Sequence, residues 1–366
     1  MIQERLKALR AEMEKRGITV YVVPTADFHE SEYVGDHFKA RKFITGFTGS
    51  AGTAVITLDE AGLWTDGRYF VQAENQLKDS TVTLYRLGEE GVPTVDEFVK
   101  DRLKEGGCLG FDGRVVNGTW GGRLEKIAAE KNVSMHVTED LIDLIWEDRP
   151  ALSKQPLFIL EEKYSGKSTA DKIGDLRKAM KENGADVHIL TSLYDIAWLL
   201  NIRGNDIDYV PVVLSYLVLN ETECIWFLQE EVVDDKIRAY LEENHITTKP
   251  YDAIYDYVPE IPADAVVLMN RGTVNYRIVN SLDKAIKVVD KPNPTELMKA
   301  VKNKTEVDNT RAAHVKDGVA FTKFMYWLKT NIGKIPMTEI SASDYLEARR
   351  REQDNFIELS FNTICA

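Results

Sequence analysis

The strongest constraint in this sequence is a pattern that occurs twice, at an offset of 167 residues, as from Leu9 to Leu176. In its first occurrence, apolar residues at the spacing of one helical stripe precede a glycine and an apolar strand: Ile2, Leu6, Leu9, Met13, Gly17 and residues 20–23. In its second occurrence, the same order comes from Ile173, Leu176, Met180, Gly184 and residues 187–190. We therefore predict a duplicated domain that combines helices and strands.

Each copy continues in the same way after its first strand. A helical segment comes next, and a pair of strands follows it, at residues 53–58 with 63–65 and at 214–219 with 224–228. Further helical and strand segments then alternate. Because strand pairs are inserted among helix-connected strands, we predict an α/β fold with mixed sheets.

Two proline-containing segments interrupt these patterns and divide the chain into three parts. They lie at residues 148–156 and 291–294. They predict a first domain at residues 1–152, a second at 153–292 and a third part at 293–366. Three parts agree with the length of 366 residues, since a domain averages about 150 residues.

The third part begins like a domain but is short for one. Residues 305–308 fit a helix-start capping box, and residues 341–344 open a second charged helix. The sequence then ends in a strand-like apolar run at residues 356–366. Because two helices and one uncovered strand rarely make a self-sufficient domain, we expect a truncated third domain.

Charge and apolar patterning exclude several classes of partner. The 46 basic and 59 acidic residues give a net charge of −13, which is poorly matched to a phosphate backbone, so we expect no nucleic-acid partner. No stretch approaches the about 20 apolar residues of a membrane span, and the N-terminus lacks the apolar core of a signal peptide. We therefore expect a cytoplasmic protein without membrane contacts.

No assembled catalytic site is visible in the sequence. The cysteines Cys108, Cys224 and Cys365 are far apart, so neither a disulfide framework nor a thiolate zinc site is expected. The segment at residues 48–52 has Thr48 where a serine nucleophile elbow needs glycine, and it lacks the Lys-Ser/Thr of a phosphate loop. We interpret it as a structural turn.

Residues 27–37 concentrate carboxylates and imidazoles, which could ligate a divalent metal. The members are Asp27, His29, Glu30, Glu32, Asp36 and His37. The segment follows a strand and contains neither a helical pair of ligands nor an H-E-x-x-H motif. We therefore favour a solvated or interface loop over a metal site.

Arg68 is the candidate for a binding role. It lies beside a glycine turn and is flanked by Trp64, Tyr69 and Phe70. A guanidinium presents a rigid fork to a carboxylate or carbonyl, which lysine does less well. The alternative is that Asp66 and Arg68 merely pair with each other or cap the following helix, and spacing leaves both interpretations open.

Six ordered segments connect the chain to a known family. They are Ser-Glu-Tyr at residues 31–33, Phe-Ile-Thr-Gly-Phe-Thr-Gly-Ser-Ala-Gly-Thr-Ala at 43–54, Trp-Thr-Asp-Gly-Arg-Tyr-Phe at 64–70, Ile-Trp-Glu-Asp-Arg-Pro at 145–150, Asp-Ile-Ala-Trp-Leu-Leu-Asn-Ile-Arg-Gly at 195–204 and Arg-Ala-Ala-His-Val-Lys-Asp at 311–317. Together they resemble the three-domain cytosolic form of Xaa-Pro aminopeptidase (aminopeptidase P), which is a pita-bread metallopeptidase. The resemblance covers essentially the whole chain.

The resemblance implies two tandem creatinase-like N-terminal domains and the truncated start of a pita-bread catalytic domain. Such enzymes remove the N-terminal residue from peptides with proline in second position. Two divalent ions, usually manganese, are held by two Asp, one His and two Glu, and a bridging hydroxide attacks the scissile carbonyl. In the family these ligands follow the strand that matches residues 361–366. The resemblance therefore implies that this chain carries no catalytic or metal-binding residue, holds no cofactor and is inactive alone.

One family substrate contact carries over by resemblance, namely the arginine of the Trp-Thr-Asp-Gly-Arg motif, which is Arg68. The resemblance further implies proline-containing peptides as substrates and a homodimer when the protein is complete. Two alternatives stay open. One is a pita-bread binding module without chemistry, and the other is a prolidase or creatinase relative, against which the two tandem N-terminal domains argue.

Overall fold

The computed structural model describes residues 2–364, and residues 2–145, called domain I, surround one mixed sheet. Its helices are α1 (Ile2–Lys15), α2 (Ala40–Thr45), α3 (Phe70–Leu77), α4 (Val95–Arg102) and α5 (Gly118–Glu130). Its strands are β1 (Val20–Pro24), β2 (Thr53–Thr57), β3 (Ala61–Thr65), β4 (Thr83–Arg86), β5 (Cys108–Phe111) and β6 (Ser134–His136).

The strand order of domain I is β4-β3-β2-β1-β5-β6. Strand β1 pairs antiparallel with β2 and parallel with β5, so the sheet is mixed as predicted. The register places Pro24 opposite Thr53 and Thr53 opposite Trp64. The end of β1, the start of β2 and the end of β3 therefore share one end of the sheet. This topology brings three separate loops to the same place.

Domain II comprises residues 157–290. Its helices are α6 (Glu162–Ser165), α7 (Thr169–Glu182), α8 (Leu193–Leu200), α9 (Asp235–Glu243), α10 (Ile254–Tyr257) and α11 (Tyr276–Ser281). Its strands are β7 (Phe158–Ile159), β8 (Val187–Leu190), β9 (Ile202–Arg203), β10 (Ser215–Asn220), β11 (Cys224–Leu228), β12 (Thr247–Pro250), β13 (Val266–Met269) and β14 (Lys287–Asp290). Short 3₁₀ helices occur in the two domains at Asp36–Phe38, Glu230–Val232, Tyr251–Ala253 and Val258–Glu260.

The main sheet of domain II repeats the topology of domain I. Its order is β12-β11-β10-β8-β13-β14, with β8 antiparallel to β10 and parallel to β13. Strands β7 and β9 form a separate small pair. The predicted α/β fold with mixed sheets in two similar domains is thus confirmed.

The repeated helical stripe is buried in both copies. In α1 the buried residues are Leu6, Leu9 and Met13, and in α7 they include Ile173, Leu176 and Met180. Apolar residues three or four positions apart lie on one face of a helix, so each helix covers its sheet with this stripe. The sequence pattern therefore reports the core packing of each domain directly.

A third segment, residues 294–364, follows domain II. It contains α12 (Pro294–Ala300), α13 (Lys304–Asn331) and α14 (Glu339–Arg351). The predicted capping boxes are misplaced. Asn303 and Glu306 cap α13 instead of residues 305 and 308, and Thr338 with Ser341 caps α14 instead of residues 341 and 344. Several Ser, Thr and Asn residues suit a cap in sequence, and the direction from which the backbone enters the helix decides which one is used.

The strand predicted at the end of the chain is wrong within the described residues. Residues 356–364 form neither helix nor strand, whereas residues 365 and 366 lie outside the described range. A strand requires a neighbour that accepts its backbone hydrogen bonds. Among residues 2–364, no strand lies beside this segment.

The first predicted linker is irregular, since residues 148–156 contain neither helix nor strand. The boundaries at residues 152 and 292 stay predictions. Cys108 and Cys224 are buried and carry no disulfide, whereas Cys365 lies outside the described range. No helix within residues 2–364 is both long and apolar enough to cross a membrane.

Candidate substrate-binding surface around Arg68

Arg68 lies in the loop between β3 and α3, at the sheet end where the three loops meet. Its Nε donates to Oδ1 of Asp66 at 2.8 Å, and its Nη2 donates to Oδ2 of Asp66 at 2.8 Å. The backbone N–H of Arg68 also donates to Oδ1, at 3.1 Å. The side chain is 68% exposed. The pairing considered from the sequence is therefore present, and the guanidinium still faces solvent.

The bidentate pair fixes the charge state of both partners. The hydrogen bonds from Arg68 lower the pKa of Asp66 to about 2, and those to Asp66 raise the pKa of Arg68. A carboxylate that accepts two parallel N–H groups aligns the guanidinium plane as well as neutralising it. Asp66 thereby orients Arg68 and leaves its outer N–H groups available to a second carbonyl or carboxylate.

Tyr69 joins Arg68 to a neighbouring loop. The guanidinium carbon of Arg68 lies 5.1 Å from the centre of the Tyr69 ring. The Tyr69 hydroxyl lies 2.6 Å from Oγ of Ser50, and the Tyr69 ring meets Phe47 edge to face at 5.9 Å. The loop at residues 47–52 therefore supports the aromatic residue against which Arg68 lies.

The segment at residues 48–52 forms an irregular loop with bends at Ser50 and Ala51. A Cβ added to Gly49 would lie 2.2 Å from Cζ of Phe47 and 2.8 Å from Cδ1 of Tyr69, so only glycine fits between the two rings. The described partner of the Ser50 hydroxyl is the Tyr69 phenol, which is not a general base of the serine-hydrolase type. These residues shape the surface and do not form a nucleophile pair.

Arg41 on α2 also belongs to this region, and the sequence analysis missed it. Its guanidinium is buried and donates to Oγ1 of Thr25 at 2.9 Å, to the Phe47 carbonyl at 2.5 Å and to the Gly49 carbonyl. The available signal was a charged residue in a short helix, beside the apolar Phe43 and Ile44 but also beside Lys42. Such a residue is as easily interpreted as exposed, because its partners come from loops.

The cluster at residues 27–37 is an interface between domains. Asp27 and His29 are buried, and the His29 ring reaches Thr191 and Tyr251 of domain II. The interface interpretation is therefore the correct one for this part of the loop. Across residues 2–364, the side chains of His, Cys, Asp and Glu do not gather in threes in a way that could hold a metal ion.

The contacts of His29 determine which of its ring nitrogens carries the hydrogen. The Thr191 carbonyl, 3.1 Å from Nδ1, can only accept, so Nδ1 carries the hydrogen. Nε2, 2.6 Å from the Tyr251 hydroxyl, then accepts from that hydroxyl. Burial lowers the pKa of His29 to about 4. His29 is therefore a neutral contact that joins the two domains.

A second buried contact joins domain II to the third segment. Lys299 donates to Oδ1 of the buried Asp195 at 2.7 Å, and Asn293 donates to Oδ2 at 3.3 Å. The Asn303 side chain also donates to the Ser165 carbonyl, at 2.8 Å. Because these partners lie about 100 to 140 positions apart in the chain, local sequence patterns could not reveal them.

The third segment contains a groove with a volume of about 970 Å³. It lies between α13, α14 and residues 353–364, and it includes His314. The His314 ring is exposed and bonds the Thr310 carbonyl through Nδ1 at 2.9 Å. This bond is local to α13.

Two metal ions are implied by the resemblance to metallopeptidases, so the described residues must be tested for ligands. No trio of His, Cys, Asp and Glu suited to a metal occurs among residues 2–364. The residues of this part of the chain therefore do not fit a dinuclear metal centre, and no chemical step is assigned to metal ions here.

Comparison with known proteins agrees with the duplicated architecture. Residues 5–145 match the sequence profile of the Creatinase/Prolidase N-terminal domain, and residues 148–306 match a second profile of the same description. The chain is 39% identical over 376 aligned residues to a probable Xaa-Pro aminopeptidase P of Sordaria macrospora and 34% identical to Xaa-Pro aminopeptidase 1 of Dictyostelium discoideum. Each alignment covers 99% of this chain, which spans 61% and 60% of those two proteins.

A structural comparison finds the same group of proteins. X-prolyl aminopeptidase from Caenorhabditis elegans, described as a cytosolic enzyme with a di-nuclear active site, superposes with a TM-score of 0.93 and 32% sequence identity. The match covers 100% of this chain and 62% of that protein. Residues 5–145 and 148–306 are therefore each similar to the Creatinase/Prolidase N-terminal domain, and the chain shares its fold with X-prolyl aminopeptidase from Caenorhabditis elegans over the matched length.

Proposed function

We propose that this chain supplies the two N-terminal domains, and the first helices of the catalytic domain, of a metal-dependent Xaa-Pro aminopeptidase. The substrate class is peptides with proline in second position. Such bonds need a dedicated enzyme because proline has no amide hydrogen and fixes the backbone torsion φ. The observation that supports this proposal most directly is the 0.93 TM-score to an X-prolyl aminopeptidase over the whole chain.

Within that enzyme, Arg68 binds the substrate peptide. Its guanidinium is oriented by Asp66, lies against the Tyr69 ring and faces solvent. A peptide carbonyl or terminal carboxylate can accept from the N–H groups that Asp66 leaves unused. Arg68 therefore lines the substrate cleft and orients the peptide, and it takes no part in bond cleavage.

The metal centre of the enzyme, two divalent ions with manganese as the expected metal, belongs to the part of the relatives that this chain does not span. The support is that the chain spans about three fifths of those relatives and that residues 2–364 gather no ligand set. The 366-residue chain alone is accordingly inactive, and the complete enzyme is a cytoplasmic homodimer.

The test of the Arg68 role is Arg68→Ala in the protein expressed from the natural reading frame. Loss of a hydrogen bond to a charged group should lower kcat/KM for an Arg-Pro-Pro peptide by about ten- to a hundredfold. Metal content, measured by mass spectrometry, should stay unchanged. Arg123→Ala is the matched control, because Arg123 also pairs with an aspartate, Asp96 at 2.9 Å, on another face of domain I.

Two results would contradict the proposal. Equal kinetics for Arg68→Ala and Arg123→Ala would remove Arg68 from the substrate site. Hydrolysis of the same peptide by the purified 366-residue chain with manganese, free of other peptidases, would place the metal centre within this chain. Sequencing the natural reading frame past the codon for Ala366 tests the second point independently, through the presence of two Asp, one His and two Glu.

A further inference from the structure

Arg41 is a buried cation whose described hydrogen bonds all go to neutral oxygens. Its side chain is almost fully enclosed, and burial lowers the pKa of Arg41 to about 10, so it remains charged at neutral pH. Its acceptors are the Thr25 hydroxyl and the carbonyls of Phe47 and Gly49. A buried charge is costly unless its hydrogen bonds are satisfied, so these oxygens are held in place as strongly as they hold the arginine.

The geometry of Arg41 is specific to a guanidinium. Nη1 reaches the Phe47 carbonyl while Nη2 reaches the Gly49 carbonyl, two residues further along the same loop. The guanidinium carbon also lies 4.7 Å from the centre of the Phe47 ring. A lysine ammonium is a point charge on a flexible stem and cannot hold two carbonyls in a fixed plane. Arg41 therefore sets the shape of residues 47–49.

The same loop contacts the support of Arg68. Phe47 and Tyr69 meet edge to face, Ser50 bonds the Tyr69 hydroxyl, and no atom larger than hydrogen fits on the Gly49 Cα between the rings. Tyr69 in turn lies under the Arg68 guanidinium. A contiguous set of contacts thus runs from the buried arginine to the exposed one.

We propose that Arg41 is a positioning residue for substrate binding, which acts through the loop at residues 47–50 and Tyr69 to hold Arg68. This inference rests on the proposed function, because Arg68 must bind substrate for Arg41 to matter to it. It assigns a role to a residue that touches no substrate.

A double-mutant cycle in the protein from the natural reading frame tests the coupling. Arg41→Lys should lower kcat/KM for Arg-Pro-Pro by about tenfold, mainly through KM, since a small displacement of a positioned group costs this much. In an Arg68→Ala background the same change should cost less than about twofold, because coupled residues are not additive. Arg203→Lys is the matched control. Arg203 is a partly buried guanidinium of domain II that donates to the carbonyls of Ala197 and Ile202.

Hydrogen exchange on the 366-residue chain gives a readout that does not depend on activity. Arg41→Lys should accelerate exchange of the amides at residues 47–52 and leave domain II unchanged. Gly49→Ala provides a second perturbation of the same contact, since its Cβ would displace Phe47 or Tyr69. It should reproduce the rise in KM while Arg41 is intact.

The outcomes separate the two proposals. If Arg68→Ala has no effect on kinetics, the proposed function of Arg68 fails, whatever Arg41 does. If Arg68→Ala impairs turnover and Arg41→Lys costs the same factor with and without Arg68, the coupling is refuted. An Arg41→Lys protein with wild-type KM and wild-type exchange at residues 47–52 would also refute it.

Discussion

Domains I and II have equivalent strand orders, yet they differ at one loop, which follows β3 in domain I and β11 in domain II. In domain I this loop carries Asp66 and Arg68, whereas after β11 of domain II a 3₁₀ helix places Glu230 and Glu231 there. The core stripe is repeated in both copies, while the exposed guanidinium occurs in one. Packing thus constrains the elements that face the sheet, and the loops at its end remain free to differ in chemistry.

The two copies also use the segments after the equivalent strands β1 and β8 in parallel ways. In domain I this segment contains His29, which contacts domain II. In domain II it leads to Asp195, which contacts the third segment. Each copy therefore attaches to the next part of the chain through the same region, with a neutral histidine in one case and an ion pair in the other.

The largest expected effect is on the free energy of unfolding, when an equivalent core residue is removed from either domain. Leu9→Ala and Leu176→Ala each remove a fully buried side chain, so each should lower the free energy of unfolding by roughly 3–4 kcal/mol. Hydrogen exchange should increase mainly in the domain that carries the change. Leu297→Ala, at a position that is 71% exposed, is the control and should have little effect. Exchange that rises equally in both domains after either change would show that they unfold as one unit.

The next prediction concerns the charged attachment of domain II. Asp195→Ala leaves Lys299 and Asn293 without their shared partner, so we expect a loss of about 2–3 kcal/mol in the free energy of unfolding from urea titration. Asp308→Ala is the control, because the Lys304 partner of Asp308 is exposed. Equal effects of the two substitutions would mean that the buried pair contributes no more than a surface pair.

The contact that the neutral His29 makes between domains I and II should be destabilised at low pH. The folded-state pKa of His29 is about 4, below the usual 6.5, so the unfolded chain binds the proton more readily. Stability is therefore full above pH 6.5 and falls as the pH drops toward 4, by about 2 kcal/mol at pH 5 from this group. His29→Gln should flatten that part of the profile relative to wild type, whereas the exposed control His245→Gln should not. The buried His188, whose pKa burial also lowers, contributes in all three proteins.

The smallest expected effect is on stability at the loops that differ. Arg68→Ala and Glu231→Ala each remove an exposed partner of a surface ion pair, and such pairs contribute little. Neither change should shift the urea midpoint measurably. A clear destabilisation by Arg68→Ala alone would indicate that this loop supports the fold of domain I and would weaken its assignment to substrate binding.

Local patterns predicted the parts of the fold that local physics controls. The stripes of α1 and α7, the strands β8 and β11 and the irregular first linker follow from spacing and from proline, because side-chain periodicity and backbone torsions act between neighbours in the chain. The helix caps of α13 and α14 were misplaced by two and three residues, since several residues there suit a cap equally well.

The candidate site was predictable only in its exposed half. Arg68 stands in a recognisable motif beside a glycine turn, so the sequence identifies it as a candidate, and its pairing with Asp66 is one of the alternatives that spacing leaves open. Arg41 could not be found in the same way. Its importance comes from two carbonyls of a loop and one hydroxyl of another segment, and none of these atoms carries a sequence signature.

The sequence by itself determined that the chain has a duplicated α/β architecture with mixed sheets, because repeated hydrophobic spacing specifies which faces are buried. Only the tertiary structure decided what the polar residues do. It made His29 an interdomain contact, paired Asp195 with Lys299 and bonded Arg41 to the loop at residues 47–49. Buried polar groups must find partners wherever the fold brings oxygen and nitrogen atoms together, and that choice is made between residues distant in sequence.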